Sequence, residues 1–305
     1  MIGLLAPAVV MAGAGALYYM TRIEPYRFRV VRRDVVLRGL PERFDPMTIL
    51  HISDLHLYRP NPRMVAFLRE LADLETDLVL ATGDLIINNS MIDYCADALR
   101  PLRGRLGTFA VFGNHDHYDY SFLDSYLFRK KTNVRNDSAR LTAALARAGV
   151  RVLNNRNVSI PEEGGGTIHV AGVDDHGTSK SDLRTALDGI PPGAFTILLS
   201  HTIDILHELK SLPAALIVAG HTHGGQIRIP RLGPIFSRIK LPNRFCWGVG
   251  EFQDTTLAVT SGLGVNRWGP FRLFCPPEAV IYRVRRGDPS PMDDAPESAG
   301  GHLQD

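Results

Sequence analysis

Runs of consecutive apolar residues alternate along this chain with segments in which apolar residues recur every three or four positions. Strands are predicted at 29–36, 48–52, 78–81, 108–112, 150–154, 167–173, 195–199, 215–219, 257–260 and 279–284. Helices are predicted at 62–74, 91–102, 141–148, 181–187 and 203–209. The alternation indicates an α/β fold, and the continuous apolar strands indicate sheets that are covered on both faces.

The start of the chain follows a different pattern, because residues 2–20 carry no charged side chain. A run of this length is typical of a transmembrane helix, so we expect residues 1–21 to form an N-terminal membrane anchor. Five arginines and one glutamate follow within 22–33, part of a basic juxtamembrane segment and first strand at 22–45. The positive-inside rule then predicts a single-pass protein of the inner (cytoplasmic) membrane, with the domain that follows in the cytoplasm.

Two other interpretations of this first segment stay open. A cleaved signal peptide or a reversed anchor would place the domain on the periplasmic face or outside the cell. The basic residues that normally precede a signal peptide's apolar run are missing, however, which argues against this alternative. The remaining interpretation is a helix that is buried against the domain.

Composition and charge limit the class of protein. The chain has 305 residues, of which 45% are hydrophobic, which suits one large domain that we place at 46–285. A net charge of +2 is too small to indicate a nucleic-acid partner. Three cysteines at irregular spacing are no disulfide framework and favour a reducing compartment. Residues 286–305 are rich in glycine, proline, serine and aspartate, which predicts a disordered tail.

Residues that bind metals follow five of the predicted strands directly. They are Asp54 and His56, Asp84, Asn114 and His115, His201, and His221 and His223. Ligands of open α/β sheets bind beyond the carboxyl ends of the strands, so these side chains are expected on one rim. In an extended segment His221 and His223 would point the same way. Any one of these residues alone could be an ordinary loop residue, but five such clusters together point to a site.

The number of these residues exceeds what one four-coordinate ion needs, and it suits two ions that share a carboxylate. Asp84 is the natural bridge, because it is the lone carboxylate at its strand end. Nitrogen and oxygen ligands without thiolate favour Mn, Fe or Zn over Ca or Mg. The sequence therefore predicts a centre of two divalent metal ions.

The order of these motifs resembles the calcineurin-like metallophosphoesterase superfamily. The motifs are Asp54-x-His56, Gly83-Asp84, Gly113-Asn114-His115-Asp116, Ser200-His201 and Gly220-His221-Thr222-His223. The resemblance runs from about residue 48 to residue 284. It implies two mixed β-sheets packed as a sandwich flanked by helices, with a dinuclear metal site at the strand ends.

The same resemblance implies a role for each residue. It assigns Asp54, His56 and His223 to one ion, Asn114, His201 and His221 to the other, and Asp84 to both. His115 would face the substrate phosphate without binding metal and could act as a general acid, and Asp116 would orient it. Two neighbouring divalent ions can hold a phosphate ester and lower the pKa of a water. We therefore expect a metal-dependent phosphoric ester hydrolase.

Three loops bear on the substrate. Basic and apolar residues interleave over 228–247, residues 264–271 add apolar side chains, and residues 118–137 are aromatic and basic. A basic rim beside an anchor suits an anionic lipid surface, and a solvated basic loop is the alternative.

The Gly220–Gln226 motif with an apolar N-terminus is similar to a bacterial branch of the superfamily that contains broad phosphodiesterases and UDP-2,3-diacylglucosamine pyrophosphatases. This resemblance implies hydrolysis of a phosphodiester or pyrophosphate bond and suggests a lipid-linked substrate. A phosphomonoesterase acting on a phosphoprotein or a metabolite is one alternative. A non-catalytic scaffold that binds a phosphorylated partner is the other.

Overall fold

Two six-stranded mixed β-sheets pack face to face in the structure, a computed structural model that describes residues 2–122, 134–163, 165–208, 214–237 and 239–288. In spatial order the first sheet contains β1 (Arg29–Leu37), β16 (Glu278–Arg286), β2 (Met47–Ile52), β3 (Leu78–Thr82), β4 (Gly107–Val111) and β7 (Arg151–Val152). The second contains β14 (Gly248–Phe252), β15 (Thr255–Val259), β11 (Leu216–Ala219), β10 (Thr196–Leu199), β9 (Thr167–Gly172) and β8 (Arg156–Pro161). The predicted α/β fold with two mixed sheets is confirmed.

Two small antiparallel hairpins complete the described strands. They pair β5 (Tyr118–Asp119) with β6 (Val134–Arg135), and β12 (Arg228–Ile229) with β13 (Gly233–Pro234). Both hairpins belong to loops for which the sequence predicted no strand. Residues 123–133 of the predicted 118–137 loop lie outside the described residues, as does most of the predicted tail, from residue 289 onward.

The described residues form the helices α1 (Ile2–Tyr18), α2 (Pro62–Leu71), α3 (Ile92–Leu99), α4 (Asn114–His117), α5 (Ser138–Arg147) and α6 (Leu183–Leu187). Helices α2, α3 and α5 bury their apolar stripes on the first sheet, and α6 and a 3₁₀ turn at Ile203–Glu208 cover the second. The side chains of Asn61, Asp137 and Asp182 begin α2, α5 and α6 by accepting a backbone N–H, which satisfies one donor of the first turn.

The direction of the strands places the loops that carry the predicted site. Strands β2, β3, β4 and β7 run parallel to one another in the first sheet. Strands β9, β10, β11 and β15 run parallel in the second. Their carboxyl ends therefore meet at one edge of each sheet, and the packing of the sheets brings these edges together.

The transmembrane helix predicted within residues 2–20 is not supported. Helix α1 has 17 residues and ends at Tyr18, where a π-helical turn at Tyr19–Ile23 begins. Among the described residues, none of the helices is long and apolar enough to cross a membrane.

Strands β8 and β14 were not predicted, and both are edge strands. The residues of β8 are exposed or half-buried, and polar residues interrupt its apolar positions. Strand β14 contains two glycines among its five residues and is also largely half-buried. An edge strand needs apolar residues on fewer positions, so the periodic signal on which the prediction depends is weak there.

We expect Leu80→Ala to destabilise the protein by about 2–5 kcal/mol, because the side chain is fully buried between the sheets and its loss leaves a cavity. Val36→Ala is the matched control, since Val36 is 37% exposed on β1. Its expected effect is within about 0.5 kcal/mol. Urea unfolding of the full chain measures both, and equal losses would contradict this account of the core.

Candidate metal centre

The loops after five parallel strands bring the predicted histidines and aspartates together on one rim. Three sets of side chains have their ligand atoms within 4.8 Å of one another. They are Asp54, His56 and His223; His56, Asp84 and His115; and Asp84, His201 and His221. The predicted convergence of the strand ends is therefore present in the structure, and each of these side chains is buried or half-buried.

The first cluster is built from the loops after β2 and β11. The Nε2 atoms of His56 and His223 lie 2.9 Å apart. Asp54 Oδ1 lies 3.5 Å from His223 Nε2 and 3.8 Å from His56 Nε2. The backbone N–H of His221 donates to Asp54 Oδ2 at 3.0 Å, which ties the two loops together.

The second cluster consists of Asp84, His201 and His221, and Asp84 also lies close to His56 of the first cluster. Asp84 Oδ2 lies 3.5 Å from His56 Nε2 and 3.3 Å from His201 Nε2. His221 Nδ1 is 3.1 Å from His201 Nε2. His201 Nδ1 donates to the Thr82 carbonyl oxygen at 2.7 Å, which turns Nε2 toward the cluster and fixes the ring.

Burial and neighbouring charges shift the pKa values of the Asp54 and Asp84 carboxyl groups in opposite directions. Burial raises the pKa of Asp54 to about 7, although the charge of His201 opposes this shift. Burial also disfavours the Asp84 anion, but His201 and His115 outweigh it and hold the pKa of Asp84 well below its usual range. Burial lowers the pKa of His201, but the Asp84 carboxylate outweighs burial and holds that pKa well above its ordinary value. Asp84 is thus an anion that requires a positive charge beside it.

Five of the predicted residues have left-handed backbone conformations, which sequence reasoning did not foresee. Their φ angles are 54° at Asp54, 47° at His56, 52° at Asp84, 68° at His221 and 50° at His223. Such residues cost roughly 1–2 kcal/mol each, and they cluster at functional sites. The extended conformation expected around His221 and His223 is therefore wrong: the loop curls, and a 3₁₀ turn begins at His223.

Two glycines allow the loops to approach the carboxylates. A Cβ atom on Gly113 would collide with Asp84 Oδ1, and one on Gly220 would collide with Asp54 Oδ2. Any other residue at either position would displace a carboxylate from its cluster. The glycines of the predicted motifs are thus required by close packing.

His115 lies at the edge of the first cluster. Its ring meets the rings of His56 and Tyr120 edge to face, with centroids 4.8 and 4.9 Å away. Its Nε2 atom is 3.2 Å from Asn266 Nδ2, and its backbone N–H donates to Asp84 Oδ1 at 2.8 Å. The ring is thereby held next to the clusters.

Asp116 acts on the backbone around His115. Its carboxylate accepts the N–H groups of Leu85 at 2.9 Å, Ile86 at 3.0 Å and Gly113 at 2.9 Å. These bonds hold together the loops that carry Asp84 and His115. The orientation of His115 by Asp116 that we expected is therefore indirect, through the backbone.

Asn114 begins α4 and is half-buried beside the clusters. Its side chain hydrogen-bonds the Tyr120 hydroxyl. Its assignment as a metal ligand stays a prediction, as do the individual ligand assignments of the histidines and aspartates.

Sequence reasoning missed two residues that support the centre. Asn266 contacts His115, and it follows β15, whose carboxyl end reaches the same rim. The pattern used for the other site residues, a polar residue in the loop after a buried strand, could have identified Asn266. Arg272 is fully buried, donates to the carbonyl oxygens of Ser261 and Gly264 at 2.8 and 2.7 Å, and lies 3.4 Å from His223 Nδ1. A single arginine in an apolar loop gave no signal for this role.

The donor set fits two divalent cations. Imidazole nitrogens and carboxylate oxygens converge in a buried space, and no thiolate belongs to the clusters found among the described residues. Asp54, His56 and His223 would hold one ion, His201 and His221 the other, and Asp84 is within reach of both.

Comparisons with known proteins agree with this centre. The sequence model of the calcineurin-like phosphoesterase family matches residues 47–225. The uncharacterized metallophosphoesterase YkuE of Bacillus subtilis is 28% identical over 292 residues, which cover 93% of this chain and 95% of YkuE. The UDP-2,3-diacylglucosamine pyrophosphatase LpxG of Chlamydia muridarum is 26% identical over 322 residues, covering 90% and 95%. The phosphodiesterase YaeI of Escherichia coli is 28% identical over 283 residues, covering 92% and 96%.

We expect Asp84→Asn to abolish binding of at least one ion and to weaken the other more than about 100-fold, because loss of a direct ligand should exceed the 10- to 100-fold effect of outer-shell changes. Calorimetric titration of the metal-free full chain with Mn²⁺ or Zn²⁺ measures both stoichiometry and affinity. Asp97→Asn, whose side chain is 69% exposed, is the matched control. Unchanged stoichiometry and affinity in Asp84→Asn would refute the shared carboxylate.

Proposed function

The chain belongs to the calcineurin-like phosphoesterase family, and we propose that it hydrolyses a phosphodiester or pyrophosphate bond in a lipid-linked substrate such as UDP-2,3-diacylglucosamine. Membership of the family confirms the resemblance found in the motifs. It also confirms the predicted class of enzyme, a metal-dependent phosphoester hydrolase. The bond and the substrate are the proposal.

The position of Asp84 between two nitrogen-rich clusters carries this proposal. Two divalent ions would face the two carboxylates of Asp54 and Asp84, while the imidazoles add no negative charge. Such a centre keeps a net positive charge, which favours an anionic phosphate group. The names of LpxG and YaeI, a lipid-nucleotide pyrophosphatase and a phosphodiesterase, support diester and pyrophosphate bonds over monoesters.

When bound, the two ions would supply electrostatic stabilisation of the phosphate oxygens and a water of lowered pKa. The protein's own residues position the metal-binding side chains and assist departure of the leaving group. His115 lies 4.8 Å, ring to ring, from His56, and Asn266 steadies its Nε2 atom. The imidazole is therefore placed to stabilise the transferring oxygens or to protonate the leaving oxygen.

Manganese, iron and zinc are the ions we propose for the centre, on the chemistry of its donors. The cytoplasmic placement of the domain at the inner membrane stays a prediction. A reporter fused after Asp305 checks it, and a periplasmic reporter signal would contradict it.

Purified full-length protein with Mn²⁺ should release UMP from UDP-2,3-diacylglucosamine. Bis-p-nitrophenyl phosphate serves as a water-soluble substrate, and Asp84→Asn serves as the inactive control. Turnover of the soluble diester without release of UMP would contradict the lipid-nucleotide substrate. Two bound ions without turnover of any ester would favour the non-catalytic scaffold.

His115→Ala should lower kcat by about 10²–10⁴ for a diester with an alkoxide leaving group, because that group needs a proton. The loss should be much smaller for p-nitrophenolate, which leaves without one. His207→Ala, an exposed histidine of the second sheet's covering turn, is the control. Equal losses with both leaving groups would argue against proton donation, and retained metal stoichiometry would show that the centre is intact.

A further inference from the structure

Exposed large apolar side chains concentrate on three loops around the metal centre. Beyond residue 26 of the described chain, they are Val36, Phe122, Val134, Ile229, Leu232, Ile235, Phe236, Trp268 and Phe274. All but Val36 lie on the β5–β6 hairpin region, on the segment 226–237 that contains β12 and β13, or on the segment 266–274. We call the described residues of these three loops (118–122 with 134–135, 226–237 and 266–274) the apolar rim. Leu232 and Phe236 are the most exposed of its members, at 80% and 77%.

Hydrogen bonds join the three loops into one surface. The indole N–H of Trp268 donates to the Tyr120 carbonyl oxygen at 2.9 Å, and the Phe122 and Trp268 rings meet edge to face at 5.7 Å. On the other side, the Leu273 N–H donates to Gln226 at 2.9 Å, and the Arg228 N–H donates to Leu273 at 3.0 Å. The apolar tips therefore belong to a continuous rim.

The rim directly borders the metal centre. Asn266, on its third loop, contacts His115, and Arg272, on the same loop, lies 3.4 Å from His223 Nδ1. The second loop leaves the His223–Gly225 turn at Gln226. A surface that met the rim would thus lie next to the catalytic clusters.

The charge of the rim complements an anionic surface. Residues 226–250 and 255–277 contain no aspartate or glutamate. Their described basic residues outside the protein interior are Arg228, Arg231, Lys240, Arg244 and Arg267, whereas Arg272 is fully buried. Asp119 pairs with Arg267 at 2.6 Å, and Arg231 at the tip of the second loop is exposed. Apolar tips among basic side chains are the composition that binds anionic phospholipid.

The segment that follows the N-terminal helix contacts the same part of the molecule. The Arg272 N–H donates to the Met20 carbonyl oxygen at 3.0 Å, and the Cys275 N–H donates to Glu24 Oε1 at 2.5 Å. The turns that follow α1 therefore lie beside the rim's third loop, and the end of α1 exposes Leu17 and Tyr18. A fluid lipid surface can contact the end of α1 and the tips of all three loops at once, without the matching shape that a folded protein would need.

We propose that the apolar rim docks on an anionic phospholipid membrane, with the metal centre opening toward the headgroup layer. The proposal rests on the proposed function in one respect: docking would give the metal centre access to a lipid-linked phosphate. The contacts that support it involve the rim's own residues and do not depend on which ester is cleaved.

Vesicle co-sedimentation of the full chain tests the surface. We expect binding to phosphatidylglycerol vesicles to exceed binding to phosphatidylcholine vesicles. The double variant L232S/F236S should weaken binding to phosphatidylglycerol at least about tenfold, because it removes two apolar tips. Arg231→Glu should weaken it by on the order of tenfold and reduce its salt dependence. Val36→Ser, exposed but outside the rim, should leave binding unchanged. Equal binding by all variants would overturn the proposal.

A second measurement separates the rim from α1. The chain has two tryptophans, so the difference between wild type and Trp268→Phe isolates the signal of Trp268. Bromine-labelled phosphatidylglycerol should quench Trp268 in vesicle-bound protein. Absence of that quenching in sedimented protein would show that the rim stays in water and would refute docking through it.

Turnover of bis-p-nitrophenyl phosphate in solution distinguishes failure of this proposal from failure of the proposed function. L232S/F236S should retain it, because these side chains lie outside the clusters. If Trp268 is quenched in wild-type protein that hydrolyses no ester, the docking surface is supported and the phosphoesterase activity is refuted. Turnover of the ester without quenching of Trp268 would support the phosphoesterase activity and refute the docking surface.

Discussion

The burial of Asp54 and Asp84 among imidazole rings is the constraint on which the rest of the structure depends. Each carboxylate is almost completely withdrawn from water, and an uncompensated buried charge costs several kcal/mol. In the protein alone, His201 supplies a compensating charge to Asp84, while Asp54 has its pKa raised to about 7. The centre is therefore arranged for cations, and the surrounding fold holds the carboxylates where cations can reach them.

That arrangement is maintained by backbone strain and by close packing. Five residues have positive φ angles, which cost roughly 1–2 kcal/mol each. They curl the loops so that the side chains point back toward the metal centre. Gly113 and Gly220 leave the space that the two carboxylates occupy. The sheets beneath support these loops because their inner faces pack into one buried cluster, in which Leu80 and Leu199 belong to different sheets. The strain of the site is thus offset by packing some distance away.

The sequence predicted the features that local patterns encode. The central strands and the residues at their carboxyl ends were predictable, because a buried parallel strand needs an unbroken apolar run and the site follows its end. Edge strands β8 and β14, the left-handed loop conformations and the contacts of Arg272 were not. Each of these depends on residues far away in the chain, such as His223, which precedes Arg272 by 49 positions and whose Nδ1 atom lies 3.4 Å from its guanidinium. The length of α1 was misjudged because apolar composition does not show where an α-helix changes to another helical turn.

The N-terminal segment is linked to the centre more closely than its composition suggests. Glu24 is buried and accepts the Cys275 N–H, and the Cys275 thiol donates to the His223 carbonyl oxygen at 3.2 Å. Strand β1 pairs with β16 over nine positions immediately afterwards. The segment that follows α1 is therefore part of the packing that supports His223. Because the backbone of Arg272 also contacts Met20, this segment supports the same loop whose arginine side chain lies 3.4 Å from His223 Nδ1, which relates the N-terminal segment to the chemistry of the site.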